Sequence, residues 1–304
     1  MVLIPGGPAL IGAPEHHLSE LTAEQPYPRS WFADEAPQHI HTVEAFLLDR
    51  YPVTNTEFAR FAYETGYQTV AERRGYGLIY DSYWAEARGA CWLRPGGPGT
   101  SIAGQEGNPV VYVALADAQA YAAWAGKRLP TEQEWEYAAH GRFWQPWPWG
   151  QEWVFGKGTT ADEWAGRMIE SAQQWAAWWQ QHRATVGLLP ATTPVGTWSP
   201  WGDSPFGISD MAGNVSEWTA SPYELYDPGQ DYDPLYQRLH RLRSRYVTTR
   251  GGGWMHWRHQ ARTTERIACD PLYSNWSLGF RCAADLGRAP QQDFPTTNQL
   301  RYVG

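Results

Sequence analysis

Apolar positions recur along this chain in short bursts that alternate between a helical and an extended period. After Thr54-Asn55-Thr56-Glu57, residues Phe58, Phe61 and Ala62 fall on one helical face, and Gly66 supplies the stop. The Thr54 hydroxyl can take a free helix N–H while Glu57 reaches back, which makes a capping box. A second helix is predicted from about Leu115 to Ala125, with Ala118, Tyr121, Ala122 and Ala125 inward and Gly126 as terminator. Thr131 to Glu134 forms another capping box, opening a helix that carries Trp135 and Ala138 and stops at Gly141. From Glu163 to about Arg183, Trp164, Met168, Ala172, Trp175 and Trp179 make an aromatic stripe at helical spacing. That helix either packs on the domain or walls a pocket or partner surface. Extended runs are expected at His41 to Leu48 and Asn108 to Val113. Helices and strands mix without a regular βαβ alternation, so a doubly wound sheet is not expected.

Composition sharpens this picture. Charged residues are 18% of the chain, and 19 Trp, 17 Tyr, 30 Gly and 23 Pro fill the difference. Such a chain is loop-rich, with irregular segments pinned by rings, and its aromatic content argues against disorder. No run approaches the length of a membrane span. A net charge of −8 gives no footprint for nucleic acid. The basic run Arg238 to Arg245 follows an acidic stretch and reads as a charge-compensated loop. The start, Met1 to Gly7, lacks a basic region and a long apolar segment, so a cytoplasmic chain is the expectation. Cys91, Cys269 and Cys282 form no CxxC pair, and an odd, small number does not describe a disulfide scaffold.

Four motifs in order carry a resemblance. They are Ile4-Pro5-Gly6-Gly7 with Ile11-Gly12; Asp34-Glu35-Ala36-Pro37 through Tyr51-Pro52-Val53-Thr54 to Thr65-Gly66-Tyr67; and Trp124-Ala125-Gly126-Lys127-Arg128-Leu129-Pro130-Thr131-Glu132-Gln133-Glu134-Trp135. The fourth joins Asp210-Met211-Ala212-Gly213-Asn214-Val215-Ser216-Glu217-Trp218, Arg250-Gly251-Gly252 and Gly279-Phe280-Arg281-Cys282. This set resembles the formylglycine-generating enzyme, or sulfatase-modifying factor, family. The resemblance implies an α+β fold, a loop-rich variant of the C-type lectin fold with a small antiparallel sheet. It places one domain at residues 1–285, with a Trp-rich helical insertion at about 163–184 and a tail at 286–304.

In the oxidase branch of that family, two cysteines after Arg-Gly-Gly hold copper, a soft ion suited to thiolates. Here residues 253–262 read Gly-Trp-Met-His-Trp-Arg-His-Gln-Ala-Arg, without cysteine. The segment is similar to the cysteine-free branches, so catalytic copper is not expected. Trp254, His256, Trp257, His259 and Arg262 become candidate ligand contacts, since aromatics and Arg anchor binding surfaces. Structural roles compete with that reading, as does a histidine-held redox metal. Arg262 and Arg266 are also expected to anchor carbonyls or carboxylates through their planar forks. The resemblance further implies structural calcium at Ala212, Gly213, Val215 and Glu217, and at a second site using Asp162 and Glu163. Oxygen ligands in a loop suit that ion. Cys269 and Cys282 read as small buried hydrophobes. The leading expectation is a non-oxidase domain that binds a small molecule or a protein; a metal-dependent oxidoreductase and a structural subunit of an assembly are the alternatives.

Overall fold

The computed structural model describes residues 1–24, 27–80, 84–186, 191–227, 232, 234–242 and 245–287. Most of the tail expected at 286–304 lies outside them. A three-stranded antiparallel sheet joins both ends of the domain: β1 (Val2–Ile4) and β11 (Ala283–Asp285) flank β4 (Phe46–Leu48). β2 (Gly7–Ile11) pairs with β3 (His39–Val43), so the run expected at His41 to Leu48 is split between two strands in different sheets. His39 and His41 occupy alternate positions of β3. α1 (Glu15–Glu24) lies between β2 and β3.

The capping boxes at Thr54 and Thr131 both form. They open α2 (Asn55–Thr65), which buries Phe58 and Phe61, and α5 (Glu132–His140), which buries Trp135 and Ala138. α3 (Val70–Arg74) leads into the hairpin β5 (Tyr76–Tyr80) and β6 (Trp84–Arg88). α4 (Leu115–Trp124) turns Ala118, Tyr121 and Ala122 inward. Residues 108–113 do not form the expected strand. They keep one isolated bridge, Pro109 to Thr54, and Tyr112 adopts a φ of 61°, which interrupts extended pairing.

The expected single helix over 163–183 is two. α6 (Ala161–Ala165) ends at Gly166 with φ 62°, and α7 (Ala172–Val186) starts afresh. Asp162 Oδ1 takes the Ile169 N–H at 2.7 Å and holds the chain between them. A glycine with a left-handed backbone is a stop that the spacing of apolar residues does not reveal.

The main sheet runs in the order β10 (Leu278–Gly279), β7 (Ser216–Pro222), β8 (Val247–Arg250), β9 (Arg266–Cys269). β9 is its edge among the described residues. The basic run lies on α8 (Pro234–Arg241) and the residues after it, of which 243 and 244 fall outside the described set. No helix among the described residues is long and apolar enough to cross a membrane. The three cysteines are free and buried, as small hydrophobes are.

Candidate functional site

The site begins where β8 ends. Gly251 and Gly252 have φ of 86° and 66°, and a Cβ on Gly252 would lie 2.5 Å from the Gln260 carbonyl oxygen. Only glycine allows this turn, which folds residues 254–262 back under the sheet. Trp254 is fully buried, its backbone N–H on Asn214 O at 2.9 Å and its indole N–H on Trp276 O at 3.1 Å. α7 lies across the segment. Trp175 Nε1 donates to Met255 O at 2.6 Å, and the Trp179 ring sits 5.6 Å from both Trp254 and Trp276.

Trp254 therefore lies in the core and not on a recognition face, and Trp257 keeps only a sliver of exposure. The stripe on α7 has to bury its rings, and the rings of the 254–257 segment are what it buries them against. Arg262 is likewise no ligand contact. Fully buried, it forks onto Glu35 at 2.5 and 2.7 Å, reaches Glu265 at 2.9 Å and donates Nε to His259 O at 2.7 Å. Arg266 does the same with Glu132 at 2.6 and 2.8 Å and with the Asp34 and Glu224 carbonyls. Both arginines are anchors of the kind their spacing implied.

His256 is placed differently. Its carbonyl accepts the Ala161 N–H at 2.9 Å, and its Nδ1 accepts the Gly253 N–H at 2.9 Å. That second bond leaves Nε2 to carry the ring proton. Burial pushes the imidazole down to about 4, so the ring is neutral. It lines a cavity of about 310 Å³ together with Trp84, Ser216, Cys269, Tyr273 and Ser277. The Ser216 hydroxyl is buried without a hydrogen-bond partner. Ser277 Oγ donates to Asn275 Oδ1 at 3.2 Å. Burial, and then Asp270, push the Cys269 thiol well up, so it stays protonated. The cavity thus offers neutral polar groups between two aromatic side chains, with the Asp270 carboxylate also in its lining.

These residues do not fit a redox metal. One lone pair of His256 is engaged and the other nitrogen is protonated, and the cavity holds one thiol. Among the described residues no group of three or more His, Cys, Asp or Glu is arranged to hold an ion. The side chains expected to hold calcium have protein partners. Glu217 accepts from Arg281 at 2.7 Å on each oxygen and from Trp135 Nε1 at 2.9 Å. A guanidinium therefore already faces the Glu217 charge. Ala212, Gly213 and Val215 lie in a buried turn, with Gly213 N–H on Gly251 O at 2.8 Å. Asp162 is committed to the Ile169 N–H at 2.7 Å, the Arg258 N–H at 2.6 Å and Arg258 Nη1 at 3.3 Å. Glu163 Oε2 takes the Gly156 N–H at 2.8 Å.

Of the five candidate ligand contacts, His256 alone lines this cavity. His259 and Trp257 reach a second cavity across β9, and Trp254 and Arg262 line neither. Sequence reasoning missed Trp84, Tyr273 and Ser277, which arrive from separate loops and hairpins with no spacing to link them. Ser216 carried a signal, since it lies inside the Asn214 to Trp218 motif.

With this geometry in place, the chain is identified by comparison. It matches the sulfatase-modifying factor enzyme 1-like domain over residues 1–286 and belongs to that family, the formylglycine-generating-enzyme family, with its variant of the C-type lectin fold. It is 34% identical over 275 residues to inactive C-alpha-formylglycine-generating enzyme 2 of Bos taurus, covering 84% of this chain and 82% of that one. It is 34% identical over 290 residues to formylglycine-generating enzyme of Mycobacterium tuberculosis, covering 84% and 92%. The solved structure of PvdO from Pseudomonas aeruginosa aligns over 93% of each chain, with a TM-score of 0.60 and 22% identity, a likeness of fold.

Proposed function

We propose that this chain is a non-oxidase member of its family that binds a small polar ligand or a protein segment in the His256 cavity. The observation that carries the reading is the Gly253 N–H bond to His256 Nδ1, which assigns the ring proton to Nε2. The residue stands in the segment where the oxidase pattern has its thiolates, yet it offers a hydrogen-bond donor and no lone pair. A donor, an unpartnered Ser216 hydroxyl and the Trp84 and Tyr273 rings recognise a ligand; they do not hold a soft cation. The likeness to a relative named as inactive supports this reading. The equal identity to a named formylglycine-generating enzyme supports its rival, an oxidase with an unusual metal site.

One experiment separates the two. The full chain, loaded with Cu(I), is mixed with a cysteine-containing peptide under oxygen. Oxygen uptake and peptide mass are followed, and binding of the same peptide is measured by calorimetry. The expected result is no copper-dependent uptake and no aldehyde, with saturable binding that His256→Phe weakens by about fivefold, the loss of one hydrogen bond. Copper-dependent conversion of the peptide sinks the reading, and binding indifferent to His256→Phe removes the cavity from it.

A further inference from the structure

On the other side of β9 lies a second cavity of about 310 Å³, sharing only Ile267 and Ala268 with the first. We propose that this cavity is a separate site for a small molecule built on a neutral planar ring with a hydrogen-bond donor and acceptor on one edge. Its walls are aromatic: Tyr27 and Trp31, stacked at 4.5 Å and 12°, Phe32, Tyr223, Tyr236 and Trp257. Leu239 of α8 closes one side.

Two residues of its lining carry buried polar atoms that have no hydrogen-bond partner in the protein. His259 is 5% exposed, and neither ring nitrogen has a hydrogen-bond partner. Trp257 is 6% exposed, and its indole N–H has none either. Buried polar atoms without partners cost free energy, and Trp257 and His259, two positions apart in the lining of one cavity, carry three such atoms, which points to something that satisfies them. A neutral imidazole donates once and accepts once, and the indole donates once. The complement is an edge with both an acceptor and a donor.

The charge of the ligand follows from what already surrounds the cavity. A cation would seek the ring faces, but Arg266 lies 5.0 Å over Tyr223 and Arg262 5.7 Å over Phe32. An anion would seek a guanidinium, but Arg262 and Arg266 are bound to Glu35, Glu265 and Glu132. The Glu24 carboxylate, 3.8 Å from His259 Nε2, repels an anion further. Burial, then Arg258, Arg262 and His17, hold His259 down to about 2, so it does not become a cation to receive one. The space, about 310 Å³, is of the size of small-molecule sites and suits a ligand of one or two rings.

Benzamide, benzoate and benzamidine share one shape and differ in charge, and they serve as probes. Titration of each into the full chain is followed by ligand-observed NMR and calorimetry. Benzamide is expected to bind saturably and at least about tenfold more tightly than either ion. His259→Leu is expected to weaken it about tenfold, and Leu239→Trp, which fills the cavity from a half-exposed helix position, to abolish it. Thermal melts check that each variant folds; if His259→Leu does not, Leu239→Trp carries the test. Benzoate or benzamidine binding as well as benzamide overturns the proposal. So does an absence of saturable benzamide binding, or benzamide binding that survives Leu239→Trp. The Proposed function is tested at His256 and stands or falls apart from these outcomes.

Discussion

Glu217 sits between Arg281 and Trp135 with both oxygens engaged, and that arrangement gives the buried carboxylate a counter-charge from the protein itself. A motif names residue types. It does not say which positive charge answers a buried carboxylate, and here the answer is a side chain from the other end of the domain. Removing Arg281 leaves a fully buried Glu217 without its counter-charge, so Arg281→Met is expected to cost about 3–5 kcal/mol in urea unfolding. Chelation of divalent ions should leave the wild-type melting temperature in place. A melting temperature that drops several degrees in EDTA would show that an ion, and not Arg281, supplies the charge. His140 gives a second expectation at this scale. Burial presses its folded value down to about 4, below the ordinary 6.5, and the ring has no exposure. The folded state thus refuses a proton that the unfolded chain takes. Its contribution to stability is whole above about pH 6.5 and is lost as pH falls toward 4. Asp34 works in the opposite sense. Burial lifts it to about 7 against Arg266 nearby, so its contribution is present in acid and lost as pH rises through that value. The His140 effect is therefore read as a difference: His140→Asn should flatten the fall of melting temperature between pH 6.5 and 4. A parallel fall in wild type and variant would refute it.

At the scale of elements, the sequence was legible where a local signal fixed the outcome. The Thr54 and Thr131 boxes predicted the starts of α2 and α5, because a cap needs only residues within one turn. The break between α6 and α7 was hidden, since Trp164 and Trp175 keep a helical spacing across it while Gly166 turns the backbone aside. The site was legible only in part. The forks of Arg262 and Arg266 are legible in the sequence, because a buried guanidinium needs carboxylate or carbonyl partners. Which rings would face solvent was not readable, because α7 comes from about 80 residues earlier in the chain and its position depends on packing, not on spacing. That packing makes a prediction. Trp179 is 2% exposed between Trp254 and Trp276, so Trp179→Ala should cost about 3–5 kcal/mol by leaving a cavity. Trp175→Phe, which gives up the hydrogen bond to Met255 O and a little area, should cost about 1 kcal/mol. Hydrogen exchange is expected to rise at residues 254–257 in the alanine variant. Unchanged exchange there would mean that α7 does not roof the segment.

For the whole molecule, the decisive structure is a buried chain of charges that ties three distant stretches together. Glu132, at the start of α5, receives Arg250 Nη1 at 3.2 Å and Arg266 at 2.6 and 2.8 Å, while Glu136 receives the other arm of Arg250. Arg266 extends to the Asp34 carbonyl, and next to it Glu35 holds Arg262. Burial alone would raise Glu132; Arg266 and Arg250 outweigh it and keep the carboxylate ionised. A domain whose short strands, among the described residues, are split over four small sheets has few long ladders to hold its segments in register. Paired charges that tolerate a single geometry supply that register between residues 34–35, 132–136 and 250–266. The claim is testable by a double-mutant cycle on Glu132→Gln and Arg266→Met. Each single variant strands a buried partner and is expected to lose about 3–5 kcal/mol, a large share of the roughly 5–15 kcal/mol a domain possesses. The double variant strands neither of that pair, so it should lose clearly less than the two losses added, and unfolding should remain one transition in all variants that fold. Additive losses would mean that the two side chains act apart. A variant in which α5 melts before the sheet would mean that the charges decorate the fold without joining it.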